Sequence, residues 1–297
     1  MAHSNKSISP LRQRMIEDMS LRKLSPKTQI QYIRAVVKLT RFLSRSPGTA
    51  TAEDLRLFQL HMSENGVSNT TINATLTGLR FLFGITLENP DVLKKTSSVH
   101  VARKLPVILS PEEVTQILDA ASKPKYHAAL AVAYATGLRS SEIVQLTMAD
   151  IDSDRMIIHV NQGKGDKDRY ALLSPELLKI LRQWWRTAYA QGKILKRGWL
   201  FPGKKPDVPM TTRQLNRVCH YAVNSAGIDK RVSLHTFRHS FATHLLEQKV
   251  DIRIIQVLLG HKKLNTTALY SQVATATLQD VTSPFDSLKL KPQTNKQ

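Results

Sequence analysis

The sequence predicts a mainly α protein of α+β type, built as two units, and three observations carry that reading. Apolar residues recur at helical spacing behind capped starts in segment after segment. One alternating pattern, near residue 160, interrupts them as a small antiparallel β-hairpin. A polar stretch without a clear period, Asp91 to Arg103, separates the first four helices from the rest. Length agrees, since 297 residues divide naturally into two domains. The 41% of hydrophobic residues is enough for a packed core and argues against a disordered chain.

The first unit reads as four helices over residues 8–90. A short one covers residues 10–20. The second opens at Ser25-Pro26, an N-cap followed by proline in the first turn, with Ile30, Ile33, Val37 and Phe42 as its apolar stripe. The third opens at Thr51-Ala52-Glu53-Asp54, a capping box with Asp in place of Glu, and carries Leu55, Phe58 and Met62. The fourth runs from Ser68 through Ile72, Leu76, Leu79, Leu82 and Phe83 and stops before Asn89-Pro90. Residues 91–103 are then expected to be a linker.

The second unit is expected over residues 104–282. Ser110-Pro111-Glu112-Glu113 starts a helix by the same capping logic. An apolar helix follows over 125–136 and a short one over 140–146. Met156 to Val160, the Gly163-Lys164-Gly165-Asp166 turn and Arg169 to Leu173 form the hairpin. Ser174-Pro175-Glu176 opens a long helix carrying Trp184 and Trp185, and further helices are expected at 211–226, 235–248, 251–259 and 265–276. Residues 283–297 form a tail.

Composition narrows the function classes. There are 43 Lys and Arg against 23 Asp and Glu, a net charge of +20. Residues 1–103 hold 15 basic and 7 acidic groups and residues 104–297 hold 28 and 16, so both units are basic. That distribution favours a polyanionic partner met by both units over a neutral enzyme with a basic tail. The single cysteine, Cys219, excludes an intramolecular disulfide and a multi-cysteine zinc site, and suits a reducing cytoplasm. The polar start leads into no apolar signal stretch, and the longest near-apolar run, Ala128 to Leu138, is too short to span a bilayer. A cytoplasmic protein with no membrane partner is expected.

Four segments stand out for chemistry. In Thr136-Gly137-Leu138-Arg139-Ser140-Ser141-Glu142, Gly137 allows an unusual turn that places Arg139 at a helix start, aimed outward. The turn Gly163-Lys164-Gly165-Asp166-Lys167-Asp168-Arg169 lacks the Walker pattern, so its lysine is read as a mobile group on a β-finger. In His235-Thr236-Phe237-Arg238-His239, His235 and Arg238 share a helix face and can act on one oxyanion. Zinc at His235 and His239 is disfavoured, because no acidic base lies between them and Arg238 is a poor neighbour for a dication. In Leu258-Leu259-Gly260-His261, Gly260 reads as a helix C-cap that projects His261, and Tyr270 follows nine residues later.

Taken singly these are weak signals, but in this order Arg139, Lys164, His235-x-x-Arg238, His261 and Tyr270 resemble the active-site set of the tyrosine recombinase (phage integrase) family. The surrounding words resemble it too: Ala135-Thr136-Gly137-Leu138-Arg139, Gly163-Lys164-Gly165, His235 to His244, and Leu258-Leu259-Gly260-His261. The resemblance covers nearly the whole chain, because the four-helix first unit is similar to the family's SAM-like core-binding domain.

The resemblance implies a site-specific recombinase or integrase that acts on double-stranded DNA without metal or cofactor. It makes Tyr270 the nucleophile that forms a 3′-phosphotyrosine, and Arg139 and Arg238 the clamp on the non-bridging oxygens. Lys164, between the glycines, becomes the general acid in preference to Lys167. His235 assists proton transfer, and His261 holds the phosphate or orients Tyr270. Glu142, three residues beyond Arg139 on a helix, fixes that guanidinium. It further implies a homotetramer in the synaptic complex, a monomer or dimer off DNA, and a tail after Asp280 that docks on a neighbouring protomer.

The length resembles Xer-type enzymes, and Ser283 to Leu288 resembles integron integrases, although the interval from Arg182 to His235 is short for the insert those integrases carry. A type IB topoisomerase-like enzyme and a non-catalytic DNA-binding relative are the alternatives. The His-x-x-Arg pair and the first unit favour the recombinase, as does the retention of every catalytic position. The carboxylates of Asp150-Ile151-Asp152-Ser153-Asp154 suggest a metal-dependent transposase, but their packing into one turn reads as a solvated loop.

Overall fold

A computed structural model describes residues 8–102, 105–163, 167–195 and 197–260. Lys164, His261, Tyr270, the helix expected at 265–276 and the tail lie outside the described residues. The chain divides into two units, Met1–Arg103 and Lys104–Gln297, and among the described residues no helix is long and apolar enough to cross a membrane.

The first unit holds α1 (Pro10–Leu21), α2 (Pro26–Leu43), α3 (Ala52–Glu64) and α4 (Asn69–Phe81). Each starts at a side-chain cap: Ser9, Ser25, Thr51 and Ser68 accept from the backbone N–H groups of Arg12, Thr28, Asp54 and Thr71. At α3 Asp54 returns the bond, accepting from the Thr51 N–H at 2.7 Å, so aspartate completes the box. A π-helical turn, Leu82–Thr86, extends α4. Met15, Met19, Leu39, Leu55, Phe58, Leu76, Leu79 and Phe83 fill the core between the helices.

Two expectations change here. Ile30 and Val37 of the α2 stripe face solvent, 53% and 36% exposed, while Ala35 and Leu39 face the core. The cause is small-on-small packing: a Cβ on Gly78 of α4 would lie 2.9 Å from the Ala35 Cβ and 3.1 Å from the Tyr32 Cα. That close approach turns α2 so that Ala35, not the bulkier Ile30, meets α4. The expected linker is also, as far as His100, laid on α3 and α4. Gln59 donates to the Ser97 carbonyl at 2.8 Å and accepts from its N–H at 3.1 Å. Asn73 does the same for Val99 at 2.8 Å and 2.8 Å, and Asn69 donates to the His100 carbonyl at 2.8 Å. Amide side chains hold this segment, which is why it shows no apolar period.

The second unit runs α5 (Pro111–Asp119), α6 (Pro124–Thr136), α7 (Ser140–Val144), β1 (Ile151–Asp152), β2 (Ile157–Gly163), β3 (Lys167–Leu172), α8 (Pro175–Ala190), α9 (Thr212–Ser225), α10 (Leu234–Glu247) and α11 (Ile252–Leu259). Its centre is α6, whose residues Ala128 to Ala133 are all buried. A helix apolar on every side belongs in the middle of a core; α5, α8, α9 and α10 surround this one. A smaller cluster, Phe241, Ala242, Ile255 and Leu259, joins α10 to α11.

The sheet is antiparallel in the order β1-β2-β3, with Ile158 opposite Ala171, Val160 opposite Arg169, and an irregularity between Val160 and Gly163. Its first strand corrects the reading of Asp150 to Asp154 as a solvated loop. Ile151 and Asp152 pair with Ile158 and Ile157. Asp150 is buried, accepting from the Thr147 N–H at 2.7 Å, the Thr147 hydroxyl at 2.8 Å and Asn161 at 2.6 Å. It caps a turn, a structural task that charge density alone does not reveal.

The Gly78 contact gives a stability test. Glycine to alanine in a helix ordinarily gains about 1 kcal/mol, but Gly78→Ala is expected to lose about 1–3 kcal/mol because the Tyr32 backbone cannot yield. Urea unfolding of the full chain measures this. Gly84→Ala, whose Cβ meets nothing within 4 Å, serves as the control and loses nothing.

Candidate active site

The last turn of α6, the start of α7, the first turn of α10 and the last turn of α11 end together. Gly137 caps α6 with φ +60°, and a Cβ there would lie 2.6 Å from the Phe241 ring and 2.8 Å from Leu259. Both the left-handed backbone and the lack of space demand glycine. The turn makes Arg139 the N-cap of α7. Gly260 caps α11 in the same left-handed conformation, φ +63°.

Arg139 does not point outward. Its backbone N–H donates to Glu142 Oε2 at 2.8 Å and its Nη1 to Glu142 Oε1 at 2.7 Å, while Nη2 lies 3.4 Å from the Gly260 carbonyl. The side chain keeps 20% of its surface exposed. The reason is Glu142, which reaches back from the third residue of α7 and folds the arginine across toward α11.

Glu142 is buried and fully bonded. Besides the two bonds from Arg139 it accepts Arg169 Nη1 on Oε1 at 3.0 Å and Nη2 on Oε2 at 2.7 Å, so each oxygen takes two donors. Burial pushes its pKa up, but the Arg169 and Arg139 donors and the Arg169 charge outweigh that and bring it from 4.5 to about 2. Arg169 also donates through Nε to the Leu258 carbonyl at 3.1 Å.

Arg238 lies on α10, buried, with Nη1 donating to the Gly137 carbonyl and Nη2 to the Leu259 carbonyl, both at 2.6 Å. It therefore ties the C-terminus of α6 to that of α11, satisfying carbonyls that helix ends leave open. His235, one turn before it, is exposed on the surface. Desolvation of its ring, then the nearby charges of Arg238 and Arg139, hold its pKa below the usual imidazole value. Burial, then His235 and Arg238, act likewise on His239. Ser240 accepts from the Leu109 N–H at 2.9 Å and donates to the Thr236 carbonyl at 2.9 Å, anchoring the chain's entry into the unit to α10.

Of the residues expected at the site, Arg139, Glu142, His235 and Arg238 converge, while Lys164, His261 and Tyr270 lie outside the described residues. Two guanidiniums and a neutral imidazole gathered at helix ends suit an anion with charge on several oxygens. Cys219 offers no competing nucleophile: it is buried in α9 and burial pushes its pKa up to about 12. Sequence reasoning missed Arg169. A signal exists, since strand alternation sets Arg169 on the inner face between the exposed Asp168 and Tyr170, and an inward charge needs a buried partner.

The comparisons agree across both units. Residues 108–277 match the Phage integrase family, and residues 11–90 match the phage integrase N-terminal SAM-like domain. The chain is 42% identical over 283 residues to the y4qK protein of Sinorhizobium fredii, covering 95% of this chain and 90% of the relative. It is 35% identical to the tyrosine recombinase XerD of Yersinia pestis, over 78% of this chain and 81% of that protein. The fold resembles that of the XerH site-specific recombinase bound to a palindromic difH substrate, with a TM-score of 0.72 at 24% identity over 95% of this chain and 86% of that one.

Glu142 sets a pH dependence of stability. Its folded pKa is depressed from 4.5 to about 2, so its contribution is complete above the unfolded value and is lost as pH falls through the folded one. At about 1.4 kcal/mol per pKa unit that is on the order of 3 kcal/mol. Urea unfolding at pH 7 is expected to show Glu142→Gln less stable than wild type by roughly that amount, with the gap closing toward pH 2. A gap independent of pH contradicts the assignment.

Proposed function

The chain belongs to the phage integrase family and is a tyrosine recombinase, and from that premise we propose how its residues cleave and rejoin duplex DNA. The supporting observation is the meeting of Arg139, His235 and Arg238, with Arg238 bridging the carbonyls of Gly137 and Leu259 at 2.6 Å. In this reading residues 8–90 act as the core-binding domain and residues 104–282 as the catalytic domain.

Tyr270 attacks the scissile phosphorus, the bond to the 5′-oxygen breaks, and the phosphate stays on the enzyme as a 3′-phosphotyrosine. Arg139 and Arg238 neutralise the non-bridging oxygens as charge builds on them. Lys164 gives its proton to the departing 5′-oxygen. His235, with its pKa held low, is neutral near pH 7 and can take the tyrosine proton. His261 holds the phosphate or orients Tyr270. One phosphodiester is exchanged for another, so the bond energy is stored for the second strand and no nucleotide is consumed. Attack by the 5′-hydroxyl of a partner strand reverses the steps and completes the exchange. The two basic units supply the remaining contacts to the DNA backbone, and a homotetramer, with the tail after Asp280 docked on a neighbour, brings two duplexes together. Mobile-element integration is the biological setting we favour, in the cytoplasm.

Two measurements test this. Incubation with a nicked duplex from the DNA flanking the gene, in EDTA, is expected to trap a covalent protein–DNA adduct that Tyr270→Phe abolishes; an adduct that needs magnesium or survives in Tyr270→Phe refutes it. Lys164→Ala is expected to slow cleavage by about 10²–10³ and to recover on a substrate whose 5′-oxygen is replaced by sulfur, because a thiolate leaves without a proton. No recovery removes Lys164 from the general-acid role.

A further inference from the structure

We propose that Arg169 is a positioning residue for strand cleavage, which sets the aim and effective charge of Arg139 through Glu142 and locks the last turn of α11 onto the lysine-bearing hairpin. The proposal rests on the phosphotyrosine reading above.

The geometry carries it. Arg169 spends three donors on two elements: Nη1 and Nη2 grip Glu142 on α7 at 3.0 and 2.7 Å, and Nε bonds the Leu258 carbonyl of α11 at 3.1 Å. Its own strand, β3, is the return arm of the hairpin whose turn contains Lys164 in the sequence. Leu258 and Gly260 lead directly to His261. Three segments that each bear or adjoin a proposed catalytic residue are thus fastened by one guanidinium.

Charge explains why a second arginine is needed. Glu142 fixes Arg139, but a lone Glu142–Arg139 pair is neutral and offers little to a phosphate. With Arg169 the trio keeps one net positive charge. Arg169's side chain is 9% exposed and Arg139's 20%, so the more accessible guanidinium faces the ligand while the other neutralises the carboxylate. Lysine cannot substitute fully, because a point charge cannot grip both carboxylate oxygens and a carbonyl at fixed angles. Gly260 fits the same design: a Cβ there would lie 3.0–3.3 Å from the Arg169 side chain, so the glycine leaves the guanidinium its seat.

The test separates DNA binding from the rate of the bound complex. On the nicked duplex that gives an adduct with wild type, Arg169→Met is expected to bind DNA within about threefold of wild type and to form adduct at saturating enzyme roughly 10²-fold more slowly, as for loss of a preorganised charge. Arg169→Lys is expected to recover part of that loss. A folded Arg169→Met whose bound complex reacts within threefold of wild type overturns the proposal, even if its melting temperature falls. Should Arg169→Met not fold, Gly260→Ala keeps every charge while it crowds the Arg169 side chain and strains the left-handed cap at φ +63°. It must slow the same step about tenfold or more, and a folded Gly260→Ala with the wild-type rate also overturns the proposal. Failure of the underlying reading looks different: wild type itself then gives no adduct, or Tyr270→Phe still does.

Discussion

The second unit turns on one saturated carboxylate. Glu142 takes four donors from two arginines and the backbone of α7. A buried charge with fewer partners is strongly destabilising, so the two elements that supply its donors are constrained together, and the same two arginines bond the Leu258 and Gly260 carbonyls of a third, α11. The start of α7 and the inner face of β3 cannot shift independently without stranding that charge, and the end of α11 cannot shift without breaking the arginine bonds to its carbonyls. Arg238 makes a parallel tie between neutral groups, joining the carbonyl ends of α6 and α11. Both ties close on the same turn, Leu258 to Gly260.

Backbone conformation and charge are interlocked at this turn. Gly137 and Gly260 both adopt left-handed caps, and at both a side chain would strike a neighbour rather than solvent. Each cap releases carbonyls that an ordinary helix end would hand to water, and arginine side chains take those carbonyls instead. The fold thus turns two helix termini into fixed seats for guanidinium groups. Rigid arginines are what a transition state with spreading negative charge requires, since nothing need reorganise as the charge develops.

What was legible in the sequence is what is local. The caps at Ser25, Thr51, Ser68 and Ser110 each announce a helix start, because their partners lie three residues away. Gly137 and Gly260 announce their turns for the same reason, and the fold class follows from these signals together. The features that were not legible depend on partners distant in sequence. Arg169 finds Glu142 27 residues away. Asp150 looks solvated until Asn161, 11 residues on, is brought to it. The outward face of α2 depends on Gly78, far along the chain, and the segment to His100 is held by amides from α3 and α4. Two-residue β1 is too short to leave a pattern of its own.

The unequal sizes of the two clusters in the second unit have a dynamic consequence. Gly137 directly follows α6, the deepest helix of the large core, and Arg139 lies two residues further on. The turn at α11 is held by a cluster of four buried residues and by the arginine bonds to its carbonyls. Hydrogen exchange is expected to divide the site in two, with α6 among the slowest amides and α11 among the faster ones. One half is held by its depth in the large core, and the other largely by guanidinium bonds to its carbonyls.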